Sequence, residues 1–241
     1  MAVQFPYAAA TLSFDLDGTL ADTVPDLFLA AQGMLAELGE APRRIDEIHA
    51  FVGKGIPNLV ERCLTWDAAP EKQRLDQAVA VFQRHYHGVN GRHAALYAGV
   101  QEALDTLRAA GYPLACVTNK SQAFTLPLLE YLGIRAHFAV VVSGDSVARK
   151  KPHPEPLLAA CASLGVAPQD NLHVGDSGND IACARAAGCP VVCVPYGYNE
   201  GVPVDKADCD ALISSLAELP GLLRPLQHAG ARPAQRGSSV P

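Results

Sequence analysis

Short apolar segments alternate with helical patterns through most of the chain, and this alternation constrains the fold more than any other feature. The segments lie at residues 12–14, 114–117, 138–142, 172–174 and 191–194. Continuous apolar runs of this length are typical of strands that are buried on both faces of a sheet. Strands that alternate with helices form βαβ units, in which the strands run parallel. The sequence therefore predicts an α/β protein with a Rossmann-like parallel sheet, although Ser13 leaves the pairing of the first strand open.

The helical patterns between these strands share a stop signal. They cover residues 100–110, 122–132, 154–164 and 180–187. A glycine follows every one of them, at Gly111, Gly133, Gly165 and Gly188. Glycine is favoured there because it adopts the left-handed conformation that ends many helices. The repeated signal supports four helices that connect the strands.

The stretch from about residue 22 to residue 92 is different, because it has helical periodicity and no convincing strand. Six apolar residues between Leu27 and Leu38 recur on one helix face, and four more do so between Leu75 and Tyr86. We therefore predict a small all-α cap domain, residues 22–92, inserted after the first strand. The core domain would comprise residues 1–21 and 93–227. Residues 228–241 lack periodicity, which predicts a flexible C-terminal tail.

Charge and hydropathy exclude several classes of partner. The chain has 241 residues, 49% of them hydrophobic, and a net charge of −6. This charge argues against a nucleic-acid or anionic membrane partner. No apolar run approaches the roughly 18 residues of a membrane span, and the first twenty residues lack the basic residues of a secretory signal. We expect a cytoplasmic monomer or homodimer that acts on a small molecule.

The first predicted strand ends at two carboxylates, Asp15 and Asp17, followed by Gly18. The carboxyl edge of a parallel sheet commonly presents ligand-binding groups. One carboxylate can serve as nucleophile or metal ligand, and the other as proton donor and acceptor. Taken alone, the motif is equally consistent with an acidic turn in solvent.

Groups suited to a phosphate or a cation follow three later strands. Thr118 and Asn119 offer a hydroxyl and backbone N–H groups, Lys151 offers a point cation, and Asp176 and Asp180 offer two more carboxylates. Thr118 alone and Lys151 alone are weak evidence, whereas the segment from Gly175 to Asp180 is more specific. Together with the first motif they predict a site for Mg²⁺ and phosphoryl transfer, because a cation offsets the repulsion between several carboxylates and a phosphate.

With these motifs in this order, the chain resembles the haloacid dehalogenase superfamily of phosphohydrolases over residues 11–219. The motifs that carry the resemblance are Asp15-Leu16-Asp17-Gly18-Thr19, Thr118-Asn119, Lys151-Pro152, and Gly175-Asp176 with Asp180. The resemblance implies that Asp15 attacks phosphorus to form an aspartyl-phosphate. It also implies that Asp17 protonates the leaving oxygen and later activates water.

The same resemblance implies the ligands of the cation and of the phosphate. Mg²⁺ would be held by Asp15, the backbone carbonyl of Asp17, and Asp176, with Asp180 in support. Phosphate would be held by Thr118, Asn119 and Lys151. The helical insertion looks like the cap of small-metabolite phosphatases, which implies a lid that closes over the substrate.

Further segments are similar to those of bacterial phosphoglycolate phosphatases. These are Lys151-Pro152-His153-Pro154, Asp180-Ile181, the segment 186–192 and Pro195-Tyr196-Gly197-Tyr198-Asn199. The similarity implies hydrolysis of 2-phosphoglycolate to glycolate and phosphate. Phosphatases of sugar or amino-sugar phosphates share most of these residues, so another small phosphate, including pyrophosphate, stays an alternative.

The cap contains Gly53-Lys54-Gly55, in the region where the family places its substrate-reading loop. The glycines permit close backbone approach to a ligand, and the Lys54 ammonium could meet a small carboxylate. A solvated lysine in a flexible turn is an equally good interpretation.

Three other functions use related chemistry. A response-regulator receiver domain also phosphorylates an Asp beside Mg²⁺, but it needs neither Asp17 nor a cap of about seventy residues. A phosphomutase on the same scaffold would isomerise sugar phosphates without net release of phosphate. A dehalogenase has no use for Asp17 or Mg²⁺.

Overall fold

The computed structural model describes residues 3–199, 201–206 and 208–226, and a parallel six-stranded sheet organises this part of the chain. The strands are β1 (Tyr7–Ala9), β2 (Thr11–Phe14), β3 (Ala21–Asp22), β4 (Ala95–Leu96), β5 (Leu114–Val117), β6 (Phe138–Val142), β7 (Asn171–Gly175), β8 (Val191–Cys193), β9 (Ala211–Leu212) and β10 (Leu223–Pro225). The α-helices are α1 (Val24–Glu37), α2 (Ile45–Phe51), α3 (Ile56–Leu64), α4 (Lys72–Val89), α5 (Val100–Ala109), α6 (Gln122–Tyr131), α7 (Glu155–Leu164) and α8 (Gly178–Ala187). The predicted tail, residues 228–241, lies outside the described residues.

The main sheet has the strand order β6-β5-β2-β7-β8-β9, with every neighbouring pair parallel. Five of these six strands match the predicted segments to within one residue at each end. The α/β prediction is therefore confirmed. The sixth strand, β9, has only two residues, which is too short to show a pattern in the sequence.

Alternate residues of the strands pack on opposite faces of the sheet, which explains why the segments are apolar throughout. Leu114 and Cys116 of β5 contribute to one hydrophobic cluster, together with side chains of α5 and α6. Ala115 and Val117 contribute to another, together with α7 and α8. A strand covered on both faces has no position left for an exposed polar side chain.

Ser13 finds its polar partners on the neighbouring strand. It lies opposite His173 in the β2–β7 register, and its Oγ is 3.0 Å from His173 Nδ1. Asn171 Nδ2 also donates to Ser13 Oγ at 2.9 Å. All three side chains are buried, and these bonds satisfy polar groups that would otherwise be costly there. The pairing that the sequence left open is thus between β2 and its neighbours β5 and β7.

The four helices α1 to α4 follow one another between β3 and β4, and we call residues 24–89 the helical insertion. The two short strands pair antiparallel, with Ala21 opposite Leu96 and Asp22 opposite Ala95. The buried apolar side chains of the insertion form a cluster of their own, joined by Phe124 and Tyr198. The predicted boundaries of the cap, at residues 22 and 92, stay a prediction. Of the described helices, none is both long and apolar enough to cross a membrane.

Asp26 of α1 fixes the segment that follows the insertion. Its side chain is buried, and its carboxylate accepts the N–H groups of Gly91, His93 and Ala94 at 2.8, 2.9 and 3.2 Å. Because Asp26→Ala leaves three N–H groups without an acceptor, we expect it to lower the free energy of unfolding by about 3 kcal/mol. Urea denaturation measures this change. The matched control is Asp76→Ala, which removes an exposed partner of Lys72. It should lower the free energy of unfolding by less than about 0.5 kcal/mol. Equal losses in the two variants would contradict the stabilising role assigned to Asp26.

Candidate active site

The strands β5, β2 and β7 are neighbours, so their carboxyl ends bring the predicted residues to one edge of the sheet. Asp15 directly follows β2, Thr118 follows β5 and Asp176 follows β7. Lys151 reaches the same edge from the loop between β6 and α7. The parallel topology thus assembles the residues that the sequence singled out separately.

Lys151 joins two of the carboxylates. Its Nζ lies 2.7 Å from Asp15 Oδ1 and 2.7 Å from Asp180 Oδ1, and it donates to the carbonyl oxygen of Val117 at 2.9 Å. The Lys151 side chain is buried, so these contacts are protected from water and salt. The lysine therefore holds a positive charge directly beside the candidate nucleophile.

Asp180 is bonded within the protein at both oxygens. Oδ1 contacts Lys151 and, at 3.2 Å, His173 Nε2. Oδ2 accepts the Ser177 hydroxyl at 2.6 Å and the Ser177 N–H at 3.2 Å, in a capping box at the start of α8. This pattern suits a side chain that positions Lys151 and the loop before α8.

Asp176 is held from two directions. Its Oδ1 accepts the Thr19 hydroxyl at 2.6 Å, and its Oδ2 accepts the N–H of Tyr198 at 2.6 Å. The backbone approaches closely here, since a Cβ on Gly197 would lie 2.3 Å from Asp176 Oδ2. Only glycine leaves room for this contact. The Tyr198 hydroxyl in turn accepts the N–H of Thr23 at 2.6 Å, at the start of the helical insertion.

The electrostatics of the carboxylates suit a bound cation. Oxygen atoms of Asp15, Asp176 and Asp180 lie within 4.8 Å of one another. Burial and the repulsion from Asp180 raise the pKa of Asp15 to about 7, against the opposing effect of Lys151. Burial and the repulsion from Asp180 and Asp15 raise the pKa of Asp176 well above its ordinary value. Desolvation would also raise the pKa of Asp180, but Lys151 and His173 outweigh it and lower that pKa.

These shifts mean that an added positive charge would favour the ionised form of two of the three carboxylates, Asp15 and Asp176, at neutral pH. Buried oxygen ligands of this kind fit a hard divalent cation. Asp15 and Asp176 are the carboxylates whose pKa is raised, whereas Lys151 and His173 together lower the pKa of Asp180. The residues present therefore fit the cation that the sequence predicts.

Asp17 lies beside a cation that the sequence analysis missed. Lys120 Nζ donates to Asp17 Oδ1 at 2.9 Å and to Oδ2 at 3.1 Å, and the Thr23 hydroxyl donates to Oδ1 at 2.7 Å. The side chain of Lys120 is only 4% exposed. The only feature of the sequence that could have indicated this role for Lys120 is its position directly after Thr118-Asn119.

Thr118 and Asn119 are both buried, but they offer different groups. The Thr118 side chain lines the cavity above Asp15. The side-chain amide of Asn119 donates to the carbonyls of Gly53 and Lys151 at 2.9 and 3.0 Å and accepts the Lys151 N–H at 2.9 Å. Asn119 thus fixes the Lys151 loop and ties the helical insertion to it, so a phosphate would use its backbone N–H.

A small cavity of about 40 Å³ lies over Asp15 and Asp17. Its polar wall comes from the core, and its other wall comes mainly from apolar residues of the helical insertion. The lining residues are Asp15, Asp17, Leu27, Val52, Gly53, Gly55, Ile56, Leu59, Thr118, Asn119 and Lys120. Of the predicted specificity loop, Gly53 and Gly55 line the cavity, whereas Lys54 is exposed and lies outside this set.

Comparison with known proteins agrees with this architecture. Residues 12–194 match the family model described as haloacid dehalogenase-like hydrolase. The phosphoglycolate phosphatase of Nitrosospira multiformis is 49% identical over 224 residues, which cover 92% of this chain and 99% of that protein.

Two solved structures extend the comparison. The crystal structure of a predicted phosphoglycolate phosphatase from Haemophilus somnus has a TM-score of 0.83 and 32% identity, covering 88% of this chain and 96% of that one. A mutant of CbbY from Rhodobacter sphaeroides, in complex with xylulose-(1,5)bisphosphate, has a TM-score of 0.74 and 26% identity, covering 90% and 100%. The chain therefore belongs to the haloacid dehalogenase-like hydrolases.

Proposed function

We propose that the protein is a Mg²⁺-dependent phosphatase that hydrolyses 2-phosphoglycolate to glycolate and phosphate. The observation that carries the proposal is the small cavity over Asp15 and Asp17, with its apolar wall from the helical insertion. The Nitrosospira multiformis relative, 49% identical, is named for this activity.

The chemistry proceeds in two displacements at phosphorus. In the first, an oxygen of Asp15 bonds to phosphorus, the bond to the ester oxygen breaks, and Asp17 gives that oxygen a proton. In the second, Asp17 takes a proton from a water molecule whose oxygen bonds to phosphorus, and Asp15 is released as a carboxylate. The two carboxylates thus have separate roles, which their different partners in the protein support.

Charge on the phosphoryl group is balanced by the surrounding residues. Asp15, Asp176 and the backbone carbonyl of Asp17 would hold Mg²⁺, with Asp180 in support, and the bound cation would supply positive charge to the phosphoryl oxygens. Lys151, in contact with Asp15, supplies a second positive charge. The Thr118 hydroxyl and the backbone N–H of Asn119 are the proposed donors to the phosphate.

The cavity wall favours a substrate with few hydroxyl groups. Leu27, Val52, Ile56 and Leu59 offer no hydrogen-bonding side chain. A sugar hydroxyl buried against them would lose its bonds to water without replacement, which costs on the order of 1–3 kcal/mol for each group. A two-carbon substrate avoids this cost and needs little room.

A second candidate is a sugar-phosphate phosphatase. The relative from Rhodobacter sphaeroides, whose structure contains xylulose-(1,5)bisphosphate, favours it. Amino-sugar phosphates, pyrophosphate and a phosphomutase reaction stay alternatives on the same scaffold. The cytoplasmic location and the state as monomer or homodimer stay predictions.

A substrate panel separates these functions. With Mg²⁺, we expect kcat/KM for 2-phosphoglycolate to exceed that for sugar phosphates, an amino-sugar phosphate and pyrophosphate by at least about 10-fold, the smaller end of what a shaped pocket provides. Phosphate release is measured for each compound, and EDTA should abolish it. Selective release from a sugar phosphate would contradict the proposed substrate, and isomerisation without release would indicate a phosphomutase.

A further inference from the structure

Lys120 is the one cationic side chain among the described residues that line the cavity. It is buried, and its ammonium group lies between the carboxylate of Asp17 and the ring of Tyr86. The distance from Nζ to the ring centroid is 5.1 Å, within the range of a cation–π contact. The position of the charge is therefore fixed by both the core and helix α4 of the insertion.

The position of Lys120 matters because of where Asp17 must act. Asp17 protonates the ester oxygen of the substrate, so that oxygen lies within hydrogen-bonding distance of its carboxyl group. In a substrate such as 2-phosphoglycolate, a single carbon separates the ester oxygen from the carboxylate. Lys120 Nζ is only 2.9 Å from Asp17 Oδ1. The Lys120 ammonium is thus within reach of the substrate carboxylate when the ester oxygen meets Asp17.

From this geometry we infer that Lys120 binds the carboxylate of the substrate and selects phosphate esters with a carboxylate one carbon from the ester oxygen. The inference rests on the proposed function and names a residue for its specificity. It assigns to a core residue the role that the sequence analysis gave to Lys54, which is exposed and lies outside the cavity lining.

Charge balance supports the same assignment. Asp17 is the carboxylate in contact with Lys120, and in the proposed mechanism it also meets the leaving oxygen. A substrate that draws Asp17 away weakens this buried ion pair, and an unpaired buried ammonium is costly. A carboxylate on the substrate replaces the lost partner, whereas an alkyl or sugar group does not.

Lys120→Met tests the inference, because methionine retains much of the side-chain length and removes the charge. The two substrates are 2-phosphoglycolate and ethyl phosphate, which replaces the carboxylate by a methyl group. We expect both rates to fall, since Asp17 loses a partner, but the ratio of the two kcat/KM values should fall by about 10- to 100-fold, as for a lost charged hydrogen bond. Lys120→Arg, which keeps the charge, should retain part of the wild-type preference for 2-phosphoglycolate over ethyl phosphate.

Three controls make the outcome decisive. Lys72→Met makes the same change at an exposed lysine of α4 and should leave the ratio unchanged. Inhibition by glycolate should weaken in Lys120→Met while inhibition by inorganic phosphate persists, which also shows that the variant is folded. Lys54→Ala should leave the ratio unchanged.

The outcomes separate the inference from the proposed function. A wild-type enzyme that does not prefer 2-phosphoglycolate over ethyl phosphate overturns the proposed function, and the inference with it. A wild-type preference that Lys120→Met leaves unchanged overturns the inference alone. A preference that collapses in Lys54→Ala instead returns the role to the loop at residues 53–55.

Discussion

Asp15→Asn is expected to lower kcat for phosphate release by at least about 10³-fold, because it removes the nucleophile while the surrounding site stays in place. The amide has nearly the same size as the carboxyl group, and it lacks the charge whose burial is unfavourable here. We therefore expect the variant to stay folded, which thermal denaturation checks. Activity within about 10-fold of wild type would contradict the assignment of Asp15.

Asp17→Asn provides the matched control, because the two variants should fail at different steps. With p-nitrophenyl phosphate, whose leaving group needs no proton, Asp17→Asn should release up to one equivalent of nitrophenolate and then slow, since water is no longer activated. Asp15→Asn should give no such burst. A burst in Asp15→Asn, measured by rapid mixing, would show that the phosphoryl group is not transferred to Asp15.

The metal-free protein is expected to lose stability as the pH rises from 6.5 to 8.0. Asp15 has a pKa of about 7 in the folded state, and that of Asp176 is also raised; unfolded Asp ionises near 3.9. Over this pH range the folded state therefore holds more protons than the unfolded state, so the free energy of unfolding falls with pH. The loss should be about 1 kcal/mol from Asp15, and the raised pKa of Asp176 adds to it in the same direction.

The pH window is chosen to separate the aspartates from His173. Burial lowers the pKa of His173, so its contribution to stability rises with pH, but this rise ends near the ordinary histidine pKa of about 6.5. Above that pH the two aspartates lower the stability, and towards pH 8 the buried cysteine thiols, whose pKa values are also raised, act in the same direction. Urea denaturation in EDTA at pH 6.5 and 8.0 measures the loss of stability.

Mg²⁺ should remove the loss of stability between pH 6.5 and 8.0, because a cation that binds the ionised carboxylates stabilises the folded state. Asp176→Asn serves as the control: it should lessen the pH dependence in EDTA and reduce the stabilisation by Mg²⁺. Stability in EDTA that rises between pH 6.5 and 8.0 would show that the carboxylates ionise without help. Full stabilisation of Asp176→Asn by Mg²⁺ would place the cation elsewhere.

The sheet was predictable because burial on both faces leaves a plain trace in the sequence. The strands β2 and β5 to β8 appear as apolar runs, and glycine marks the helix ends. The two-residue strands β3, β4 and β9 leave no such trace. Their positions depend on neighbours far away in the chain, which a local pattern does not record.

The main groups of the site were also predictable, because parallel strands deliver the residues that follow them to one edge. The direction in which a loop side chain points could not be predicted in this way. Lys120 lies 103 residues from Asp17 in the chain, and nothing local indicates that its ammonium faces inward. For Lys54 the sequence left two interpretations open, a substrate-reading cation and a solvated lysine, and in the structure its side chain is exposed. The contacts of His173 with Ser13 and Asp180 could not be predicted for another reason. The partner of a polar residue in a buried strand can be identified only when the register of the strands is known.

The pairing of β3 with β4 brings the two ends of the helical insertion together. The chain leaves the core at Ala21 and Asp22 and re-enters it beside the same point, at Ala95 and Leu96. Segments whose two ends meet can be lengthened, shortened or exchanged without changing the order of strands around them. A different helical segment could therefore take the place of residues 24–89 on the same core, in which Lys120 would persist while the apolar wall of the cavity would not.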